Sequence, residues 1–143
     1  MGKGGEGAVY ALSGQPNYVM KIYLPGQATE TRHRKLLTML STKLSLSAMQ
    51  QITWPTDVVY QNGKFAGYVM PKLSGAKELK VMYSDKYQYT LSEKITIAKN
   101  LCTALNSVHE AGQVCGDLNP KNIGVDPNEA KVTLLDTDSY HIT

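Results

Sequence analysis

The stretch between residues 114 and 138 limits the possible folds of this chain more than any other part of it. Asp117 and Asn122 lie five positions apart in a polar segment, and Asp136 follows a short apolar run. Phosphoryl transfer requires this set of groups: an acid near the incoming hydroxyl, and an amide and a second acid that hold Mg²⁺ on the phosphates. A fold that uses all three must therefore bring a loop close to the end of a strand.

Length and composition indicate a small soluble protein. The chain has 143 residues, of which 42% are hydrophobic and 19% are charged, so it can bury one core or form two small lobes. The formal net charge is +3, and the densest basic run covers residues 32–35. We interpret that run as the solvated face of a helix, so nucleic-acid binding is disfavoured.

Cysteine content and hydropathy bear on the cellular compartment. The two cysteines, Cys102 and Cys115, are too few for a disulfide framework or a cysteine metal site, and they fit a reducing compartment. The N-terminus is polar and rich in glycine, unlike a signal peptide, and no apolar run approaches the ~20 residues that span a bilayer. We expect a cytoplasmic protein without a membrane segment.

The N-terminus carries a glycine pattern that fits two kinds of phosphate site. Gly2, Gly4 and Gly7 are followed by Val9, and glycines let backbone N–H groups approach phosphates closely. A Rossmann turn would continue into a helix. Here the residues after Gly7 favour a strand, a turn at 13–17 and a second strand, which predicts a hairpin that covers a nucleotide.

Lys21 lies in the second predicted strand, and its ammonium group is suited to the α- and β-phosphates of a nucleotide. The alternative is a lysine at a strand edge that faces solvent. A helix is predicted over residues 28–41, and Glu30 is its only acid. Glu30 is either the ion-pair partner of Lys21 or a first-turn acid that interacts favourably with the helix dipole.

Other elements follow from local signals. Asn62 and Gly63 predict a tight hairpin turn between two strands, because this pair accepts positive φ angles. Thr90 and Glu93 form a capping-box pattern at the start of a long helix that ends near Gly112. The apolar positions of that helix are Ile95, Ala98, Leu101, Cys102, Leu105 and Val108.

The order of these motifs resembles the protein-kinase-like family in a divergent bacterial form. The catalytic-loop pattern is Gly-Asp-Leu-Asn-Pro-x-Asn at residues 116–122, and the metal motif is Asp-Thr-Asp-Ser at residues 136–139. The resemblance implies an α+β, protein-kinase-like fold. A β-rich N-lobe would span residues 1–72, and a truncated helical C-lobe would span residues 73–143.

The resemblance also implies a role for individual residues, with ATP and Mg²⁺ as cofactors. Asp117 would accept or orient the hydroxyl group of the substrate, and Asn122 and Asp136 would bind Mg²⁺. The phosphates would be covered by the glycines and held by Lys21. The nucleotide-contacting residues would be Gly2, Gly4, Gly7, Val9, Lys21, Met70 behind the adenine, and the backbone of Lys72 and Leu73.

Three positions depart from the usual family pattern, and so does the length. Gly116 replaces the arginine that reads a phosphorylated activation loop, Asn119 replaces a lysine or arginine, and Asp138 replaces a glycine and could bind a second metal or stiffen the segment. The activation segment and substrate platform of a kinase are missing after the metal motif. We therefore expect a minimal or fragment form that self-associates through its uncovered C-lobe.

The leading functional hypothesis is a serine/threonine protein kinase with an unknown protein substrate, if the rest of the C-lobe is dispensable or supplied elsewhere. A small-molecule phosphotransferase is the first alternative, because that class shares the fold and a similar loop. A non-catalytic nucleotide-binding or interaction module, a pseudokinase, is the second.

Overall fold

A computed structural model describes residues 5–42, 44–84 and 87–142 of the chain. The chain divides into two units. The first contains residues 1–43 and 54–72, and the second contains residues 44–53 and 73–143. Both units mix helix with antiparallel strands, in agreement with the predicted α+β class.

The first unit is built on a four-stranded antiparallel sheet. Its strands are β1 (Gly7–Leu12), β2 (Gln15–Tyr23), β3 (Asp57–Gln61) and β4 (Lys64–Pro71), and their order in the sheet is β1-β2-β4-β3. The Asn62–Gly63 turn connects β3 to β4 with φ angles of 51° and 73° at these two residues, so the prediction of a hairpin with two positive φ angles is confirmed.

Helix α1 (Glu30–Ser41) begins where the Thr29 hydroxyl accepts a hydrogen bond from the Arg32 N–H at 3.3 Å. The helix buries Leu36 and Met39. Trp54 is also buried, and its indole N–H donates to the Met39 carbonyl at 3.0 Å, which adds a second donor to a carbonyl that already accepts from the Thr42 N–H.

The second unit is built around the long helix α3 (Leu91–Glu110). The predicted capping box is present: Glu93 N–H donates to the Thr90 hydroxyl at 3.2 Å, and Thr90 N–H donates to the Glu93 carboxylate at 2.7 Å. The other elements are α2 (Leu46–Met49), β5 (Lys77–Glu78), β6 (Gln113–Val114), β7 (Ile123–Val125), β8 (Val132–Leu134), β9 (His141–Ile142) and 3₁₀ turns at Leu79–Tyr83 and Thr137–Ser139.

The buried face of α3 agrees only in part with the predicted one. Ile97, Ala104 and Val108 are buried, whereas Ile95, Ala98 and Cys102 are exposed. The predicted burial of Val108 is therefore confirmed, and the prediction that Ile95, Ala98 and Cys102 belong to the packed apolar face is wrong. The sequence carries two adjacent apolar stripes on this helix, and the one that contains Ile97 supplies the buried side chains.

Residues 44–53 lie in the second unit, although the sequence places them before the end of the first predicted lobe. Backbone hydrogen bonds explain this, because Leu134 N–H donates to the Gln51 carbonyl at 2.7 Å and Thr53 N–H donates to the Leu134 carbonyl at 2.9 Å. Ile52 is buried at this bridge. The segment therefore extends the sheet of β5, β7 and β8, whose order is β5-β7-β8.

Within the described ranges, no helix combines the length and the apolar character that crossing a bilayer requires.

Candidate active site

Lys21 is buried in the middle of the first sheet. It lies on β2, which has β1 on one side and β4 on the other, and only 7% of the residue is exposed. Its Nζ atom lies 5.6 Å and 5.9 Å from the ring centroids of Tyr23 and Tyr68, where the ring faces favour a cation. The alternative of a solvent-facing lysine at a strand edge is therefore wrong.

Two acids of the first unit, Glu30 and Glu6, contact different basic residues. Glu30 accepts a hydrogen bond from Arg34 at 3.0 Å on its own helix, and this bond is the main cause that lowers the pKa of Glu30. Lys21 Nζ lies 3.7 Å from a carboxylate oxygen of Glu6. Sequence reasoning missed Glu6, although it is the acid within the Gly-rich segment.

The basic run at 32–35 is not a uniform solvated helix face. Arg32 forms an ion pair with Glu6 at 2.6 Å. The ring of His33 stacks on Phe65 with centroids 4.7 Å apart, and its Nε2 atom lies 2.8 Å from the Tyr60 hydroxyl. With the bond from Arg34 to Glu30, these contacts engage Arg32, His33 and Arg34 within the first unit, so the run gives no support to nucleic-acid binding.

Gly7 begins β1, where the backbone of β2 approaches it closely. A Cβ atom at this position would lie 2.6 Å from the Ile22 carbonyl oxygen, so strand packing alone requires glycine here. Val9 pairs with Lys21 in the register of β1 and β2. Gly2 and Gly4 lie outside the described residues, and their predicted contact with phosphates stays a prediction.

The predicted adenine-binding residues lie at the end of β4, which contains Met70, and directly after it, where Lys72 and Leu73 follow. Met70 is half-buried and pairs with Val19 of β2. The Lys72 N–H donates to the Asn17 carbonyl at 2.8 Å, so this donor already has a partner in the first unit. The predicted contacts of Met70, Lys72 and Leu73 with adenine stay a prediction.

The loop after β6 holds the carboxylate of Asp117 with two amides. Asn119 donates to Oδ1 at 2.9 Å, and Asn122 donates to Oδ2 at 2.9 Å and to the Asp117 carbonyl at 3.1 Å. The Asn119 side-chain oxygen in turn accepts from the Lys121 N–H at 2.9 Å. Asp117 is exposed, so its carboxylate is both oriented and accessible.

Asn119 is a site residue that the sequence interpretation did not assign. The family pattern marks Asn119 only as a replacement for a basic residue, whereas in the structure its amide holds the Asp117 carboxylate. The signal was available, because asparagine favours turns in which its side chain bonds to the backbone two residues later.

A backbone hydrogen bond ties the Asp136 segment to this loop. Leu135 N–H donates to the Asn122 carbonyl at 2.9 Å, which brings the two predicted metal ligands to neighbouring positions. Asp136 adopts the left-handed conformation with φ 56° and ψ 45°, a costly geometry for a residue with a Cβ atom. The 3₁₀ turn that follows stabilises it, since the Ser139 hydroxyl donates to the Asp136 carbonyl at 2.9 Å.

Asp136 and Asp138 lie close together. A carboxylate oxygen of one lies within 4.8 Å of a carboxylate oxygen of the other, and Asp138 is buried. The Asn122 amide nitrogen bonds to Asp117, which leaves the amide oxygen outside that interaction. Carboxylate and amide oxygens are hard ligands of the type that Mg²⁺ binds, so the residues present fit a magnesium ion.

Gly116 occupies the position where the family usually has arginine, and the structure explains the difference. A Cβ atom there would clash with the Ser139 carbonyl oxygen and would lie 3.2 Å from a ring carbon of His141.

The neighbouring Tyr140 is buried, and this burial, with the adjacent Cys115 thiol, raises the pKa of its phenol. The phenol therefore stays neutral, and the space beside Gly116 is filled by backbone.

Comparison with known proteins identifies the family. The sequence profile of the lipopolysaccharide kinase (Kdo/WaaP) family matches residues 17–140. The chain belongs to this family. The membership agrees with the resemblance to kinase-like proteins and, with the α+β architecture, supports a kinase-like fold.

Two curated relatives of this Kdo/WaaP chain have the same name. They are the protein kinases YegI of Escherichia coli O157:H7 and of Escherichia coli strain K12, and each is 33% identical over 151 aligned positions. The alignment covers 99% of this chain and 23% of each relative. The chain thus spans about a quarter of the length of the curated relatives that it matches.

Proposed function

We propose that the chain binds ATP with Mg²⁺ and transfers the γ-phosphoryl group to a hydroxyl group, with a serine or threonine of a protein as the acceptor. The observation that carries the proposal is the Asp117 carboxylate, which is exposed and fixed by the amides of Asn119 and Asn122. A carboxylate held in this way can accept or orient the hydroxyl of an acceptor while it remains ionised.

Each unit supports a separate part of the proposal. In the first, the buried ammonium of Lys21 is suited to the phosphates of ATP, because a charge in a partly dehydrated site interacts strongly with an anion. In the second, Asn122 and Asp136 offer oxygen ligands for Mg²⁺, and Asp138 adds a nearby carboxylate. When bound, Mg²⁺ would neutralise the charge on the phosphates.

The comparisons support two classes of acceptor. The relatives named protein kinase favour a protein hydroxyl, and the family description favours lipopolysaccharide. Phosphorylation of a saccharide hydroxyl is therefore the second candidate function. It uses the same roles for Asp117 and Lys21 and differs only in the acceptor.

Nucleotide binding tests the first half of the proposal. Titration calorimetry with ATP, with and without Mg²⁺, is performed on the wild type, Lys21→Met and Asp136→Asn, and Lys64→Met serves as the control because Lys64 is exposed on β4. Loss of a charge-assisted phosphate contact is expected to weaken ATP binding by about 10-fold or more in Lys21→Met. Asp136→Asn is expected to lose the improvement that Mg²⁺ gives.

Phosphoryl transfer tests the second half. Radiolabelled ATP is incubated with the chain and with casein, with lipopolysaccharide, or with no added acceptor, and each assay is repeated with Asp117→Asn. Label on protein that depends on Asp117 supports the protein kinase, and label on lipopolysaccharide supports the second candidate. ATP binding without transfer to any acceptor would instead indicate a non-catalytic nucleotide-binding module. Absence of ATP binding in the wild type would contradict all three.

Self-association and location belong to the same proposal. Leu91 and Ile95 of α3 are 75% and 47% exposed, and an apolar face of this kind favours contact with a second copy of the chain. Sedimentation of the wild type and of Ile95→Glu tests this, and a monomer at every concentration would contradict it.

We also propose a cytoplasmic location, for which the two unpaired cysteines are the support.

A further inference from the structure

One carboxylate is shared by two cations in the first unit. Glu6, in the Gly-rich segment before β1, places one oxygen 2.6 Å from Arg32 Nη2 and the other 3.7 Å from Lys21 Nζ. Arg32 lies in the first turn of α1 and Lys21 lies on β2, so three different segments contribute one charge each.

The Arg32 guanidinium group makes contacts that do not depend on Glu6. Its Nη1 atom donates to the Gln27 carbonyl at 3.1 Å and to the Gln27 side-chain oxygen at 3.0 Å. Its guanidinium carbon lies 5.0 Å from the ring centroid of Tyr23, a distance at which a cation is attracted to the ring. The guanidinium group would therefore keep its position if Glu6 moved away.

Glu6 is the member of the cluster with the greatest freedom to move. Its side chain is 46% exposed, compared with 23% for Arg32 and 8% for Lys21. Its backbone is fixed, because the Leu24 N–H donates to the Glu6 carbonyl at 2.9 Å. A change of side-chain rotamer alone is enough to withdraw the carboxylate into solvent.

The position between Arg32 and Lys21 that the Glu6 carboxylate would vacate suits a phosphate group better than a carboxylate. Two cations that face one point interact more favourably with an anion of charge greater than one, and the planar guanidinium matches phosphate oxygens in a bidentate geometry. We propose that Arg32 is a second phosphate-binding cation beside Lys21, and that Glu6 is a displaceable carboxylate that occupies the phosphate position until a nucleotide enters. This inference rests on the proposed role of Lys21 in ATP binding.

The proposal predicts opposite effects for two charge-neutralising variants. Calorimetric titrations with ATP, inorganic tripolyphosphate and adenosine are performed on the wild type, Glu6→Gln, Arg32→Gln and Arg32→Lys. Arg34→Gln is the matched control, since Arg34 lies on the same helix and pairs with Glu30. Glu6→Gln removes the competing anion, so it is expected to bind ATP and tripolyphosphate about 3- to 10-fold more tightly.

Arg32→Gln is expected to bind both phosphate ligands about 10-fold or more weakly, because a charge-assisted contact is lost. Arg32→Lys is expected to show a smaller loss, since it keeps the charge and loses the bidentate geometry. Adenosine affinity stays unchanged in all variants, and Arg34→Gln behaves as the wild type. Thermal unfolding of each variant shows that it is folded, and Arg32→Lys replaces Arg32→Gln if the latter does not fold.

Two results would overturn the proposal while ATP binding by the wild type remains intact. Weaker ATP binding by Glu6→Gln would mean that Glu6 supports Lys21 in the complex, and unchanged affinity in Arg32→Gln would remove Arg32 from the phosphate site. Binding of tripolyphosphate in the predicted order without any binding of ATP would keep this inference and refute the nucleotide function. Failure of the wild type and Glu6→Gln to bind either ligand would refute both.

Discussion

Replacing Gly116 with alanine tests why the kinase arginine is missing from this chain. The added Cβ atom would meet the Ser139 carbonyl oxygen at a distance that real Cβ atoms do not show, and a ring carbon of His141 at 3.2 Å. The obstructing atom is backbone, so the 139–141 segment must shift as a unit. Overpacking of this kind costs about 1–3 kcal/mol, and a chain of this size loses roughly 2–4 °C in Tm per kcal/mol.

Thermal unfolding followed by circular dichroism is the assay, and the expected decrease in Tm for Gly116→Ala is about 2–12 °C. Gly5→Ala is the matched control, because a Cβ atom at Gly5 meets nothing within 4 Å. Hydrogen exchange supplies a local readout, since the Val114–His141 pair of β6 and β9 lies beside the clash and is expected to lose protection. An unchanged Tm and unchanged exchange for Gly116→Ala would refute the steric explanation.

Two further predictions concern α3. Ile97→Ala is expected to destabilise the protein by about 2–4 kcal/mol, because Ile97 is 2% exposed. Ile95→Ala is expected to cost roughly 0.5 kcal/mol or less, because Ile95 is exposed. Equal urea unfolding midpoints for the two variants would contradict the assignment of Ile97 to the buried face of α3. Thr90→Ala removes the cap and is expected to cost about 1 kcal/mol at neutral pH. The Thr90 backbone N–H, and after it the Thr90 hydroxyl, lower the pKa of Glu93, so the carboxylate's contribution is present above the unfolded-state pKa and is lost as the pH falls through the lowered pKa. Thr90→Ala keeps the backbone N–H and removes the hydroxyl bond to the carboxylate at 2.9 Å. Urea unfolding between pH 7 and pH 3 should therefore show a shrinking difference between Thr90→Ala and the wild type, and a constant difference would show that the hydroxyl bond to the Glu93 carboxylate does not stabilise the cap.

Local chemistry made part of the fold predictable. The Asn62–Gly63 turn and the Thr90–Glu93 capping box depend on residues within four positions of one another, and both are present in the structure. The sequence analysis also expects a loop close to the end of a strand, and the structure has this arrangement, because β7 and β8 pair and Leu135 N–H donates to the Asn122 carbonyl. These are features in which the pattern and the geometry share the same few residues.

Other features depend on contacts that no local pattern contains. The sequence offers two apolar stripes on α3, and only packing in the second unit selects the one with Ile97. The sequence offers Glu30 on α1 as one candidate partner of Lys21, whereas Glu6, in a segment that precedes β1, lies 3.7 Å from the Lys21 ammonium group. Both choices are made by distant parts of the chain, so a window of neighbouring residues does not determine them.

The bridge between residues 51–53 and Leu134 determines how this protein can be divided. The chain enters the second unit at residue 44, leaves it after residue 53 and returns at residue 73. A polypeptide limited to residues 73–143 would leave β8 without the backbone partners that Gln51 and Thr53 provide. Cutting the chain after Lys72 therefore yields two incomplete pieces, and separate expression of each unit requires residues 44–53 to be joined to the C-terminal part.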